Sequence, residues 1–205
     1  MLSECFGVIA LTVRSIVTYP DPRLLKAALR VDVFDDDLRA LAQDLFDTMQ
    51  AASGVGITAP HIGVLTRMVV LALPGEAIDA VRSGAESVDK DAAGASITSA
   101  SAQALSSYQV YINPEITDTS AETVQCEEGS ISMPGVIEKI VRAARVTVRY
   151  VDINGTPQTE EAHGFRAVCH QHEIDQLNGV FWTDKLSRLK RERIVTRFTK
   201  LQRGS

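Results

Sequence analysis

The chain has 205 residues, 45% of them hydrophobic and 23% charged, and a formal net charge of −5. That make-up suits a soluble globular protein of one domain with a buried core. The acidic balance excludes a dominant nucleic-acid surface, which needs a basic excess, and no stretch approaches the roughly 20 apolar residues of a membrane span. Three cysteines, Cys5, Cys126 and Cys169, are widely spaced and form no C-x-x-C pair, so a disulfide framework is not indicated and a reducing cytoplasm is the expected compartment.

Residues 1–12 hold a short apolar run without a basic region before it, and read as an N-terminal extension rather than a signal peptide. Residues 13–19 (V-R-S-I-V-T-Y) form a β-leaning run closed by Pro20 and Pro22, a strand or an extended arm. Asp35, Asp36 and Asp37 mark a helix start, because acids there satisfy unpaired N–H groups and the helix dipole. Leu38, Leu41, Leu45, Phe46 and Met49 follow at helical spacing, as a core face.

Residues 53–63 (S-G-V-G-I-T-A-P-H-I-G) read as a tight glycine-rich loop, either a plain connector or a substrate-lined one, and R-M-V-V-L-A at 67–72 as a strand. Residues 75–107, rich in Ala, Ser, Gly and Asp with no aromatic, read as a surface insertion. A strand over 108–112 ends at Asn113-Pro114, and 125–135 (Q-C-E-E-G-S-I-S-M-P-G) is a constrained loop. Residues 142–152 alternate as a strand, and Asn154-Gly155 signals a hairpin into 156–162.

A helix is expected from about His163 to Asn178, with Phe165, Val168, Cys169 and Leu177 apolar and Gly179 as its stop. It carries Q-H-E-I-D-Q-L-N-G, an H-E-x-x-Q where a zinc helix has H-E-x-x-H. Positions i and i+4 share a helix face, so two imidazoles there grip one ion while the Glu acts as general base; here one imidazole is missing. His163 and His170 read as a helix start and as a surface or satisfied histidine. Residues 180–183 are short and extended. The last helix, 187–203, is expected to bury Leu189, Ile194, Phe198 and Leu201 and to turn a basic face to solvent, with docking on an anionic surface such as RNA as the minority reading.

Three stretches, 54–63, 128–135 and 171–179, resemble in order and spacing the three motifs of the peptide deformylases: G-x-G-L-A-A-x-Q-x-G, E-G-C-L-S-x-P and Q-H-E-x-D-H-L-x-G. The resemblance covers nearly the whole chain apart from the N-terminal extension and the insertion. It implies an α+β fold, with antiparallel sheets around a central helix that carries H-E-x-x-Q. It also implies a divalent metal, iron or zinc, held by the second-motif Cys and two His of the third. A Glu activates the metal-bound water to remove the formyl group from the N-terminus of nascent peptides, the family's partners, and the first-motif Gln and the N–H after the Cys stabilise the oxyanion. The basic C-terminal helix is a candidate ribosome contact.

On this sequence His172 matches a family ligand and Glu173 the family base. Ser130 and Gln176 stand at the other two ligand positions, and His61 at the oxyanion Gln. Ile131 supplies the N–H beside that site, and Gly54, Val55, Gly56 and Gly129 are the expected substrate contacts. A neutral serine hydroxyl and a carboxamide are poor ligands beside a thiolate and an imidazole. The expected consequence is a degenerate site with no metal, or a weakly bound one, and absent or very low family activity on a scaffold that still serves as a peptide-binding module. The competing expectation is an active metal-dependent deformylase or amidase with a rebuilt site, in which His61 and His172 coordinate and Gln176 binds the oxyanion. Ser130, Cys169 and Cys126 are weak candidates for its third ligand. Ser130 does not resemble a hydrolase nucleophile, because G-S-I-S-M lacks the G-x-S-x-G elbow.

Overall fold

The computed structural model describes residues 12–73 and 108–204. The insertion at 75–107 and all of the N-terminal extension but Thr12 lie outside them. The elements are α1 (Asp36–Ala51), β1 (Gly56–Thr58), β2 (Met68–Leu71), β3 (Gln109–Thr119), β4 (Thr123–Ser130), β5 (Met133–Ala143), β6 (Arg145–Val151), β7 (Pro157–His163), α2 (Gly164–Leu177) and α3 (Arg188–Gly204). Strands β1-β2-β3-β6-β7 form one antiparallel sheet in that order, and β4-β5 form a separate hairpin. This is the α+β architecture implied by the motifs. Among the described residues no helix is long and apolar enough to cross a membrane.

Helix α1 begins where the acids placed it: the Asp35 carboxylate accepts the Leu38 N–H at 2.9 Å, and Asp36 and Asp37 sit in the first turn. Strand β2 explains why the sheet is covered on both faces. Its alternate residues Val69 and Leu71 pack with Tyr111, Val148, Ala167, Ile174 and Leu177 under α2, while Met68 and Val70 pack with Leu45, Met49, Ile57 and Ile112 under α1. Each such fully buried aliphatic side chain is worth about 2 kcal/mol. A third cluster, Met133, Val136, Ile140, Trp182, Ile194 and Phe198, joins the hairpin to α3. Helix α2 thus lies between the sheet and the hairpin.

Several expectations are corrected. Residues 13–19 are an extended arm and not a strand, pinned by Val17 N–H to the His61 carbonyl at 2.7 Å and Tyr19 N–H to the Ser132 carbonyl at 2.8 Å. Residues 53–63 are more regular than a loop, since they contain β1 and a 3₁₀ turn, Ala59–Ile62. Strand β3 does not end at Asn113-Pro114. Its register with β6 shifts there, and the Asn113 amide takes a peptide's place, accepting the Val31 N–H and donating to the Val31 carbonyl at 2.8 Å each.

The constrained loop at 125–135 is the β4–β5 hairpin, paired from Thr123↔Ala143 to Ser130↔Met133. The expected strand over 142–152 is two strands, because Ala144 breaks away to bond Glu122. Residues 180–183 run into a 3₁₀ turn, Trp182–Lys185. In α3, Ile194 and Phe198 are buried as expected, but Leu189 is 79% exposed and Leu201 43%. Residues 194 and 198 are four apart on one face, whereas 189 lies five before 194 and falls well round the helix.

Helix α2 stops as expected after Leu177, with Gly179 at φ 75°. A side chain there would be strained by that φ and would press on the Leu25 carbonyl at 2.8 Å.

Candidate active site

A cavity of about 390 Å³ opens between the segment leading into β1, the β4–β5 turn and α2. Gly54, Val55, Gly56 and His61 line it from the first motif, Gly129, Ser130 and Ile131 from the second, and His172 and Glu173 from the third. Gln176 does not. Although it lies one turn beyond His172, its amide donates to the Leu24 carbonyl at 2.7 Å, and the residue is 2% exposed. One donor of the amide that the rebuilt-site expectation assigns to the oxyanion is thus used by a backbone carbonyl 152 residues away. Cys169 lines the cavity, Cys126 sits on β4 away from it, and Phe165 is half-exposed at the rim rather than in the core.

His172 is held by an ionic frame. Its Nδ1 lies 2.9 Å from Glu128 Oε2, and Arg142 donates through Nε and Nη2 to the two Glu128 oxygens at 2.8 and 2.9 Å. Arg142 also reaches Asp175, which Lys185 approaches at 3.0 Å. Burial pushes the Glu128 carboxyl up, but the hydrogen bonds from Arg142 and His172 outweigh it and leave the pKa at about 2. Because Glu128 is ionised, His172 Nδ1 is the donor, and the ring's other nitrogen is left to the cavity. Burial lowers the His172 pKa, but the hydrogen bond to Glu128 and the nearby Glu173 and Glu128 charges raise it overall.

Glu173 is packed tightly. A Cβ on Gly56 would overlap Glu173 Oε1, so a larger residue there would displace this carboxyl. Its Oε2 is buried without a hydrogen-bond partner. Burial raises the Glu173 pKa, and with the Glu128 charge it outweighs the opposing pull of His172, reaching about 7.

Across the cavity, His61 is 1% exposed and caps its own 3₁₀ turn, with the Thr58 N–H donating to Nδ1 at 3.0 Å and the Thr58 hydroxyl 2.9 Å from the same atom. Burial, then the His172 charge, lower its pKa to about 3, so the ring is neutral. Its Nε2 lies 3.5 Å from Ser130 Oγ, which accepts the Ser132 N–H at 3.2 Å. Among the described residues, no three His, Cys, Asp or Glu side chains converge as a metal-binding group.

Sequence reasoning missed Arg142 and Thr58. Arg142 had a signal: it shares its β5 face with Val136 and Ile140, and a charge on a buried strand face demands a partner. Thr58 had none: its N–H and hydroxyl both meet His61 Nδ1, a pairing the chain order does not mark.

The sequence model of the polypeptide deformylase family matches residues 13–192. A peptide deformylase-like protein of Brucella suis is 51% identical over 193 residues, covering 94% of this chain and 100% of that one. The same strain has a peptide deformylase that is 36% identical over 197 residues, covering 95% and 98%. A peptide deformylase from Legionella pneumophila has a similar structure, with TM-score 0.76, 36% identity, and coverage of 93% of this chain and 96% of that one.

Proposed function

The chain belongs to the polypeptide deformylase family, and from that premise we propose that it keeps the family's peptide groove while lacking the family's metal-dependent hydrolysis. The observation that carries this reading is the donor set at the three ligand positions. His172 is a good ligand, oriented by Glu128 as metal-bound imidazoles are. Ser130 offers a neutral hydroxyl, and Gln176, a carboxamide and a weak ligand, anchors its Nε2 on the Leu24 carbonyl and does not line the cavity. Structural zinc sites are worth on the order of 10 kcal/mol, a sum over several ligands, and one imidazole supplies a small part of it. The residues present do not fit the family's iron or zinc, and no hydrolytic step is assigned through such an ion.

What this chain's residues do offer is a walled groove. Val55 and the glycines Gly54 and Gly56 line it from one segment and Gly129 to Ile131 from another, together with Glu173 and His61, and we read it as the site of an extended peptide. The reading is thus of a peptide-binding protein whose ligands are N-terminal segments of new chains. The coexistence of a deformylase and a deformylase-like protein in Brucella suis supports a division of labour of this kind. The cytoplasm is the compartment this role requires. A ribosome contact would fall to the arginines of α3 not engaged with Glu138, Asp184 or Glu192.

Elemental analysis of protein purified without chelators, paired with a formyl-peptide turnover assay, tests the reading. The expected result is substoichiometric metal and no turnover above background. Near-stoichiometric metal with turnover abolished by Glu173→Ala overturns it. The combined change Ser130→Cys, Gln176→His and His61→Gln is expected to create metal binding, because the Glu128–His172 support is in place.

A further inference from the structure

A second cavity, of about 720 Å³, opens at the end of the five-stranded sheet, between α1, the start of β3, the end of β6 and β7, and among the described residues it shares no wall with the candidate active site. The atoms it offers are fixed by what lies behind them. An arginine only donates, so Arg166 Nη2, 2.7 Å from Gln109 Oε1, sets the oxygen of that amide toward itself and the nitrogen toward Tyr150, whose hydroxyl accepts at 2.8 Å. The Tyr150 proton is then left over. No acceptor among the described residues takes it, although Tyr150 lines the cavity and is 7% exposed. Burial, then the Glu160 charge, raise the Tyr150 pKa, so the phenol keeps that proton at neutral pH.

Acceptors stand at Asp152. Its Oδ1 caps a turn, taking the Asn154 and Thr156 N–H groups at 2.9 Å each, and the Thr156 bond above all lowers its pKa, so the group is a carboxylate. Among the described residues its Oδ2 meets the Gln158 amide nitrogen alone, at a long 3.4 Å, which leaves the Gln158 oxygen without a donor. Arg39 reaches the same turn, 3.4 Å from Asn154 Oδ1, and keeps N–H groups to spare. Tyr108, Val110 and Ile153 add apolar surface.

We propose that this cavity binds a free α-amino acid with an apolar side chain, its carboxylate held by the Tyr150 hydroxyl and Arg39, its ammonium by Asp152 Oδ2 and the Gln158 oxygen, and its side chain by Tyr108, Val110 and Ile153. The wall carries unspent donors and unspent acceptors with one charge of each sign, and a zwitterion serves both sets. A neutral sugar leaves both charges uncompensated, and blocking either end of the amino acid leaves one set unserved. The site is separate from the peptide groove and does not depend on it.

Calorimetry and backbone amide NMR on the full chain test this. L-Leucine is expected to bind at least about tenfold more tightly than leucinamide, N-acetyl-leucine or glucose, with shift changes at Val110, Tyr150 and Ile153 and none at His172. Tyr150→Phe removes the hydroxyl alone and should weaken leucine about tenfold, and Arg39→Gln, at an exposed position where folding is not at stake, about threefold. Asp152→Asn keeps the Oδ1 cap and should erase the preference for leucine over N-acetyl-leucine. Equal binding of leucine and its blocked forms, shift changes centred on His172, affinity indifferent to both Tyr150→Phe and Arg39→Gln, or failure of leucine, methionine and phenylalanine all to bind at about 10 mM overturns the proposal.

Discussion

Helix α2 carries His170 and His172 two residues apart, about 200° round the helix from each other, and each meets a carboxylate that an arginine also grips. His170 turns to the five-stranded sheet. There Glu160 lies 3.4 Å from its Nε2, accepts from the Tyr111 hydroxyl at 2.9 Å and pairs with Arg166, and Tyr111 closes over the His170 ring at 4.7 Å between centroids. His172 turns to the hairpin, where Glu128 and Arg142 hold it at the edge of the cavity. Burial raises both carboxyls, and hydrogen bonds from the Arg and His of each cluster outweigh it, leaving both at about 2. The same three residue types thus build a cross-tie in one place and a site wall in the other. What separates them is the face of the helix that opens onto empty volume.

The comparison breaks most sharply at the arginines. Arg142 has a side chain 5% exposed and bonds both Glu128 oxygens, so Arg142→Met leaves the buried Glu128 with His172 as its one charged partner and Asp175 without its arginine, and is expected to cost about 3 kcal/mol in urea unfolding. Arg166 is 22% exposed and its Glu160 keeps Tyr111 and His170, so Arg166→Met should cost about 1–2 kcal/mol. Equal losses would show that the two clusters do the same work.

Next in size is the acid limb. A carboxyl held at about 2 contributes stability above the unfolded value near 4.5 and loses it as the pH falls through that value toward 2. Each glutamate is worth on the order of 3 kcal/mol across that window. Glu128→Gln and Glu160→Gln should each flatten the fall in stability between pH 5 and pH 2, followed by chemical denaturation at fixed pH steps.

The remaining effect has the opposite sign. Glu173 at about 7 is protonated more readily folded than unfolded, so its stabilising contribution is present below pH 4.5 and lost as the pH rises through 7. Glu173→Gln is expected to stabilise by about 3 kcal/mol at pH 8, by about 1 kcal/mol at pH 5 and by almost nothing at pH 3. A uniform gain across pH would place the benefit in packing and not in the buried charge.

Much of the local structure was legible in the chain. Asp35 before an apolar period of 3.6 gives the start of α1, Asn154-Gly155 gives the β6–β7 turn, and H-E-x-x-Q followed by Gly179 gives α2 and its end. Each is a signal carried by residues a few positions apart, and the polypeptide deformylase motifs are of the same kind. Where reading failed, a distant partner had intervened. Asn113 stays inside β3 because Val31 pairs with its side chain, and Leu189 is exposed because α3 rotates to seat Ile194 and Phe198 on the hairpin.

The sequence by itself determined which residues the motifs contain, His61, Ser130 and Gln176 among them, and the resemblance alone sets them against the family's glutamine, cysteine and second histidine. Only the tertiary structure decided what those residues can do. The Gln176 amide is drawn to Leu24, the His61 ring is anchored at Nδ1 by Thr58, and His172 is aimed by a glutamate from β4. The reason is physical. A side chain's chemical identity is local, but the free lone pair or proton it presents depends on which of its atoms the fold has already satisfied.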